Sequence, residues 1–217
     1  MHQISGKPRH KLLHPIVPGY AILPLILALM INNCIYIGVA QLKNNLSFTS
    51  LATPLDAQIP FVAPFVIFYV LAYIQWVLNY ILISRDSKKM CYQFVSGDIL
   101  SKIICLLFFL LLPTNIVRPE VTGTDIFSSL VRLIYSVDAP VNLFPSIHCL
   151  ESWCCIRAAF QLNFKTPRRT RLYRILTIIM SVGVFASTLF IKQHVIVDVF
   201  GGVAAFEIGL FLTKQRR

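Results

Sequence analysis

Charged residues are scarce in this chain. Only 13% of its 217 residues are Asp, Glu, Lys or Arg, whereas a soluble domain has about 25%. Hydrophobic residues make up 56% of the chain, and the mean hydropathy is +0.70. This composition argues against a soluble globular domain and predicts an integral membrane protein. The net charge of +11 does not indicate nucleic-acid binding, because the basic residues occur in short clusters between apolar runs, as membrane topology favours.

The chain also lacks the patterns of several common sites. Its six cysteines have neither the paired loop spacing of a disulfide framework nor the C-x-x-C spacing of a zinc site. It has no aspartate cluster suited to magnesium. We therefore expect buried thiols, no metal and no other cofactor. No internal repeat or low-complexity segment is visible, so we expect one domain over residues 1–217.

Long apolar runs are what the chain does contain. A membrane-spanning helix needs about 20 mostly apolar residues. Six segments qualify: 16–39, 61–83, 99–117, 145–162, 172–190 and 195–212. The fourth is the weakest, because it contains Glu151 and Arg157. The first is about twice as long as the 7–15-residue apolar core of a signal peptide, so we expect a retained helix. The predicted fold is an all-α bundle of six transmembrane helices.

The distribution of basic residues predicts the orientation. With six alternating helices, 14 of the 20 Lys and Arg residues fall on one side, in an arm at residues 1–15, the second and fourth loops and the C-terminal tail. The opposite side has only Lys43, Arg118, Arg132 and Lys192. Because positive loops mark the cytoplasm, we expect both termini inside. The outer loop, 118–144, is expected to contain a short interfacial helix or lid.

Polar groups cluster at the predicted outer ends of the helices. His194 and Asp198 are four residues apart and therefore share one helix face. A carboxylate in that position can hold one imidazole nitrogen and leave the other free. His148 follows Pro145 and Ser146 at the start of the fourth segment, where a serine hydroxyl and free backbone N–H groups favour an anion.

Further charged residues lie deeper in the predicted helices. We predict that Arg157 pairs with Glu207, although Glu151 is an alternative partner for Arg157.

Arg118, directly before Pro119, adds a positive charge at the same level. Each fragment by itself has an ordinary structural interpretation: a polar pair packing a helix, a helix that begins Pro-Ser, and an interfacial anchor. Together, two histidines, one aspartate and a cation are the groups that metal-free phosphoryl transfer requires.

The order Arg-Pro, Pro-Ser-x-His and Ser-x6-His-x3-Asp resembles the type 2 phosphatidic acid phosphatase superfamily of integral membrane lipid phosphatases and phosphotransferases. The matching residues are Arg118, Pro119, Ser146, His148, Ser187, His194 and Asp198. Three positions depart from the family signature, with Leu111 for lysine, Ile147 for glycine and Thr188 for arginine. The bulky Ile147 resembles the phosphotransferase branch that makes phosphosphingolipids and some bacterial relatives. The departures therefore bear on the substrate more than on the fold.

The resemblance implies a mechanism and a substrate class. His194 would form a phosphohistidine while Asp198 holds its ring, and His148 would act as acid and then base. Arg118 and Ser146 would bind phosphoryl oxygens together with Ser187. Lys192 would replace the missing arginine.

We expect a lipid phosphatase that acts on a lipid phosphate or diphosphate at the outer face of the plasma membrane, in contact with membrane lipids and no nucleic acid. The alternatives are a phosphotransferase acting on a lipid hydroxyl and a non-catalytic membrane scaffold of the same fold. The oligomeric state stays open.

Overall fold

The computed structural model describes residues 15–42 and 47–215. These residues form eight α-helices and no β-sheet. The helices are α1 (Gly19–Leu42), α2 (Pro54–Gln58), α3 (Val66–Asp86), α4 (Lys88–Leu111), α5 (Ile126–Val137), α6 (Ile147–Gln161), α7 (Pro167–Phe190) and α8 (Ile196–Gln215). A short 3-10 helix, Ala63–Phe65, precedes α3. The predicted all-α class is confirmed for these residues. Most of the arm predicted at 1–15 lies outside them, as do Lys43, Arg216 and Arg217.

In the part of the chain that the structure describes, five helices are long and apolar enough to cross a membrane: α1, α3 with its preceding 3-10 turn, α4, α7 and α8. These helices indicate an integral membrane protein. The segment predicted at 145–162 forms α6, which has 15 residues. At about 1.5 Å per residue it spans about 22 Å, less than the hydrocarbon core of about 30 Å. Residues 15–42 and 47–215 thus contain five helices of spanning length, where the sequence predicted six, and the segment 145–162 forms a shorter helix.

The bounds predicted for the third segment, 99–117, were wrong. Helix α4 begins at Lys88, directly after Ser87, whose hydroxyl accepts a hydrogen bond from the Met90 amide at 3.1 Å. The helix ends at Leu111, two residues before Pro113. A proline disfavours helical backbone in the residue directly before it. The sequence predicted that Arg118 lies at the end of a helix. It lies instead in the connection beyond α4.

Helix α4 makes its most extensive contact with α8. A Cβ atom at Gly209 would lie 2.2 Å from Ser101 Oγ and 2.5 Å from the Gly97 carbonyl oxygen. Only glycine at this position allows the two helices to approach so closely.

The predicted Arg157–Glu207 pair is confirmed. Arg157 Nε lies 3.0 Å from Glu207 Oε1, and the Trp153 indole donates to the same oxygen at 2.7 Å. The pair connects α6 to α8. Glu151, the alternative partner, instead contacts Lys102 of α4.

Three connecting segments are joined at the end of the bundle where α6 and α8 begin. The Asn115 amide donates to the Thr49 carbonyl at 3.2 Å, and the Asn142 amide donates to the Thr114 carbonyl at 2.7 Å. The Thr114 hydroxyl accepts from the Leu143 and Phe144 amides at 2.9 and 3.0 Å. The connection after α4 is thereby held beside the start of α6. The short helix predicted in loop 118–144 is confirmed as α5.

Candidate functional site

His194 and Asp198 are in contact, as predicted, but they do not share a helix face, because α8 begins at Ile196 and His194 precedes it. His194 Nδ1 lies 3.2 Å from Asp198 Oδ2, and the same oxygen accepts the Val195 amide at 3.0 Å. The His194 backbone amide donates to the Thr188 carbonyl at 3.0 Å. His194 therefore sits in a turn held by the end of α7, immediately before α8. Its Nδ1 faces a buried carboxylate, which leaves Nε2 as the nitrogen available for chemistry.

His148 approaches His194 because the first turns of α6 and α8 touch. The Ser146 hydroxyl caps α6 by accepting the Cys149 amide at 3.4 Å, and the Ser146 amide donates to the Asp198 carbonyl at 3.0 Å. A Cβ at Gly202 would lie 2.3 Å from the Ser146 carbonyl oxygen, so this approach also requires glycine. The His148 and His194 rings are 6.3 Å apart between centroids.

Pro145 differs from its prediction. It was expected in the first helical turn, but it precedes the capping residue Ser146 and lies outside α6.

Three aromatic side chains of α3 surround His148. The Tyr69 ring stacks on the imidazole with centroids 4.2 Å apart, and Trp76 contacts it edge-on at 5.3 Å. The Tyr73 hydroxyl lies 3.3 Å from His148 Nε2. The sequence reasoning missed these residues. Their spacing, i, i+4 and i+7, places them on one helix face and was the signal that could have indicated them.

Arg118 lies next to the turn that carries His194. Its guanidinium donates to the Asp138 carbonyl at 2.6 Å and to the side-chain oxygen of Gln193, the residue before His194. It also lies over the Tyr135 ring, 4.6 Å from the centroid. Burial lowers the pKa of Arg118, and the negative charge of Asp138 opposes this shift. Because an arginine remains charged under such a shift, the residue supplies a positive charge beside His194.

Helix α5 covers this end of the bundle. Burial raises the pKa of Tyr135 to about 12, so its neutral hydroxyl donates to the Ile191 carbonyl at 2.7 Å. The Tyr69 hydroxyl donates to Asp138 Oδ2 at 3.2 Å. A continuous set of contacts therefore runs from Arg118 through Asp138 and Tyr69 to the His148 ring.

Lys192 and Ser187 make other contacts. Lys192 has a left-handed backbone, with φ 53°, and its ammonium donates to the carbonyl oxygens of Asp56 and Ile59. The buried Ser187 hydroxyl donates within α7 to the Val184 carbonyl at 2.7 Å. Phosphate binding by either residue stays a prediction.

The sequence reasoning also missed Asp56. Its Oδ1 accepts the Ile196 amide at 2.7 Å, and its Oδ2 accepts the Thr53 amide and hydroxyl at 2.8 and 2.6 Å. Burial favours a higher pKa for this carboxyl, but the hydrogen bonds from Thr53 and Ile196 outweigh it and lower the pKa. The ionised group thus holds the first turn of α8, close to His194. The pattern Thr-x-x-Asp, which resembles a capping box, was the available signal.

Within residues 15–42 and 47–215, no three His, Cys, Asp or Glu side chains are grouped as a metal site requires.

Comparison with known proteins found no matching family model, no matching curated protein and no matching solved structure.

Proposed function

We propose that the chain is a membrane lipid phosphatase that hydrolyses a lipid phosphate or diphosphate through a phosphohistidine on His194. The observation that carries the proposal is the His194–Asp198 pair facing His148, with ring centroids 6.3 Å apart. His148 and Asp198 lie in the first turns of α6 and α8, and His194 lies in the turn before α8. A nucleophile, its orienting carboxylate and an acid–base group are what covalent phosphoryl transfer requires. The resemblance in motif order supports the same conclusion.

The first step forms a bond between His194 Nε2 and phosphorus and breaks the bond between phosphorus and the lipid oxygen. His148 gives a proton to that leaving oxygen. Asp198, through its 3.2 Å contact with Nδ1, stabilises the positive charge that develops on the His194 ring.

In the second step His148 removes a proton from water. The resulting oxygen attacks phosphorus and the bond from phosphorus to nitrogen breaks, which releases phosphate and restores His194.

Arg118 is the cation best situated for the phosphoryl oxygens, because it contacts Gln193 beside the nucleophile. Amides at the start of α6, capped by Ser146, add hydrogen-bond donors. Lys192 and Ser187 would join them only after leaving the carbonyl groups to which they now donate. These groups neutralise charge on the transferring phosphoryl group.

The proposed topology has six crossings, with α6 as the shortest, and both termini in the cytoplasm. The basic residues, 14 against four on the two sides, support this orientation. The site then faces outward at the plasma membrane. The substrate is a lipid phosphate of the outer leaflet, and neither nucleic acid nor a cofactor takes part.

Transfer of a phospho-headgroup to a lipid hydroxyl is the second candidate. Ile147, beside His148, favours it through its resemblance to the phosphotransferase branch. The same two histidines serve both reactions, since the acceptor oxygen is from water in one and from an alcohol in the other.

The test gives purified protein in lipid nanodiscs a panel of lipid phosphates and diphosphates, with and without a lipid alcohol. Free phosphate and new phospholipids are both measured, with and without EDTA. His194→Ala, His148→Ala and Asp198→Asn are compared with Asp125→Asn, which changes an exposed carboxylate that caps α5. Acid-labile phosphoenzyme is measured after rapid quenching.

The expected result is phosphate release that resists EDTA, with phosphoenzyme present in the wild type and Asp125→Asn and absent in His194→Ala. New phospholipid in place of free phosphate would favour the transferase. Turnover that survives His194→Ala, or that needs a divalent metal, would refute the mechanism.

A further inference from the structure

A cluster of charged side chains lies inside the bundle, separate from the two histidines. Lys102 Nζ contacts Asp98 Oδ2 at 2.9 Å within α4 and Glu151 Oε1 of α6 at 2.6 Å. Asp98, Lys102 and Glu151 are 0%, 3% and 5% exposed, respectively. From α3, the Tyr80 hydroxyl donates to Glu151 Oε2 at 3.1 Å. Three helices therefore meet at a polar cluster closed off from the surroundings.

The charges of this cluster do not cancel. Two ionised carboxylates and one ammonium sum to one net negative charge, and an uncompensated charge at membrane depth is costly. Asp98 Oδ1 is also buried without a hydrogen-bond partner among the residues that the structure describes. The cluster thus has an excess charge and an unoccupied carboxylate oxygen on the same side chain.

Among the residues that the structure describes, no neighbouring group supplies the missing positive charge. The other titratable side chains that act on the cluster are Cys105 on α4, Tyr80 on α3, and Cys154 and Cys155 on α6. None of these four side chains carries a positive charge. Helices α1 and α8 also pack against α4, and in the described part of the chain neither contributes an ion pair to it.

We propose that Asp98, Lys102 and Glu151 form an intramembrane proton-binding site, which holds one proton on its two carboxyl groups at neutral pH. One bound proton makes the cluster neutral and occupies a carboxylate oxygen that has no other partner. Two carboxylates in one site favour this sharing, because they repel each other when both are ionised. The inference does not depend on the proposed phosphatase activity.

The proton makes stability depend on pH with a defined sign. In the unfolded chain both carboxyls are ionised at neutral pH, so the folded protein binds one more proton than the unfolded chain. The free energy of unfolding therefore decreases as pH rises. Asp98→Asn or Glu151→Gln leaves one carboxylate with Lys102, a neutral pair that needs no proton.

Two measurements test the site in nanodiscs. Infrared spectroscopy at neutral pH detects the carbonyl stretch of a protonated carboxylic acid. Thermal unfolding from about pH 5 to about pH 9 measures how the stability of the folded protein depends on pH. Glu207→Gln is the matched control, because it removes a carboxylate that is paired with Arg157 and is half exposed.

We expect the wild type and Glu207→Gln to show the acid band and to lose thermal stability as pH rises. In Asp98→Asn and Glu151→Gln we expect a weaker or absent band and a smaller pH dependence. Absence of the acid band in the wild type would overturn the proposal. So would an acid band and a pH dependence of thermal stability that are unchanged in both Asp98→Asn and Glu151→Gln. Failure of both variants to fold would contradict it too, because each retains a neutral ion pair.

Discussion

Gly202→Ala tests whether the close approach of α8 to the start of α6 assembles the site. The added Cβ would lie 2.3 Å from the Ser146 carbonyl oxygen and 3.0 Å from the Leu150 amide nitrogen. Both are backbone atoms of α6 or its cap, so no side-chain rotation relieves the conflict. Ordinary contact begins at 3.4 Å. The two helices must therefore separate locally by about 1 Å, the difference between 3.4 and 2.3 Å.

This separation acts directly on the two histidines. Ser146 precedes His148 by two residues, and its amide is bonded to Asp198, the partner of His194. A displacement of about 1 Å between reacting groups costs about 100-fold in rate. Overpacking of this kind costs about 1–3 kcal/mol of stability, partly offset by the helix preference of alanine over glycine, about 1 kcal/mol.

The assay compares turnover and thermal unfolding of Gly202→Ala with two other alanine variants. Gly209→Ala creates a conflict of similar size with Ser101 and Gly97, about two turns further along α8. It should lower stability similarly and reduce turnover much less. Gly38→Ala meets no atom within 4 Å and should change neither quantity. If Gly202→Ala turned over and unfolded like the wild type, the reasoning from this contact would be wrong. If wild type lacked phosphatase activity, the stability comparison would still test the packing.

Three further predictions concern other parts of the chain. Lys192→Ala should lower turnover at least about tenfold if the ammonium binds phosphate; loss of thermal stability with wild-type turnover would instead show that it serves only the carbonyls of the α2 region. Tyr73→Phe should reduce kcat several-fold and shift the pH profile, because it removes the hydroxyl beside His148 Nε2; an unchanged pH profile would contradict this role. In intact cells and a cysteine-free background, Thr124→Cys should react with an impermeant thiol reagent, whereas Lys165→Cys should react only after permeabilisation. The reverse pattern would invert the proposed orientation.

Local sequence patterns were sufficient for part of this structure. Apolar runs of about 20 residues predict helices in a membrane, because lipid requires each backbone polar group to be bonded within its own segment. The contact between His194 and Asp198 was predicted from their separation of four residues, although His194 lies in the turn before α8 and not on the helix. Arg157 and Glu207 could be paired because both are charged residues within apolar helices, where an unpaired charge is unfavourable.

Long-range packing decided the rest. The start of α4 was missed because Lys88, Lys89 and Asp98 are charged, yet Asp98 is buried with Lys102 and Glu151. Hydropathy scores each residue alone and cannot include a partner about fifty positions away in the chain. The spacing of the aromatic residues of α3 indicates a shared helix face, but not that this face meets His148. The carbonyl groups that hold Lys192 left no such signal in the sequence. Such contacts depend on which helix faces meet, as the close approaches of α8 to α6 at Gly202 and to α4 at Gly209 illustrate.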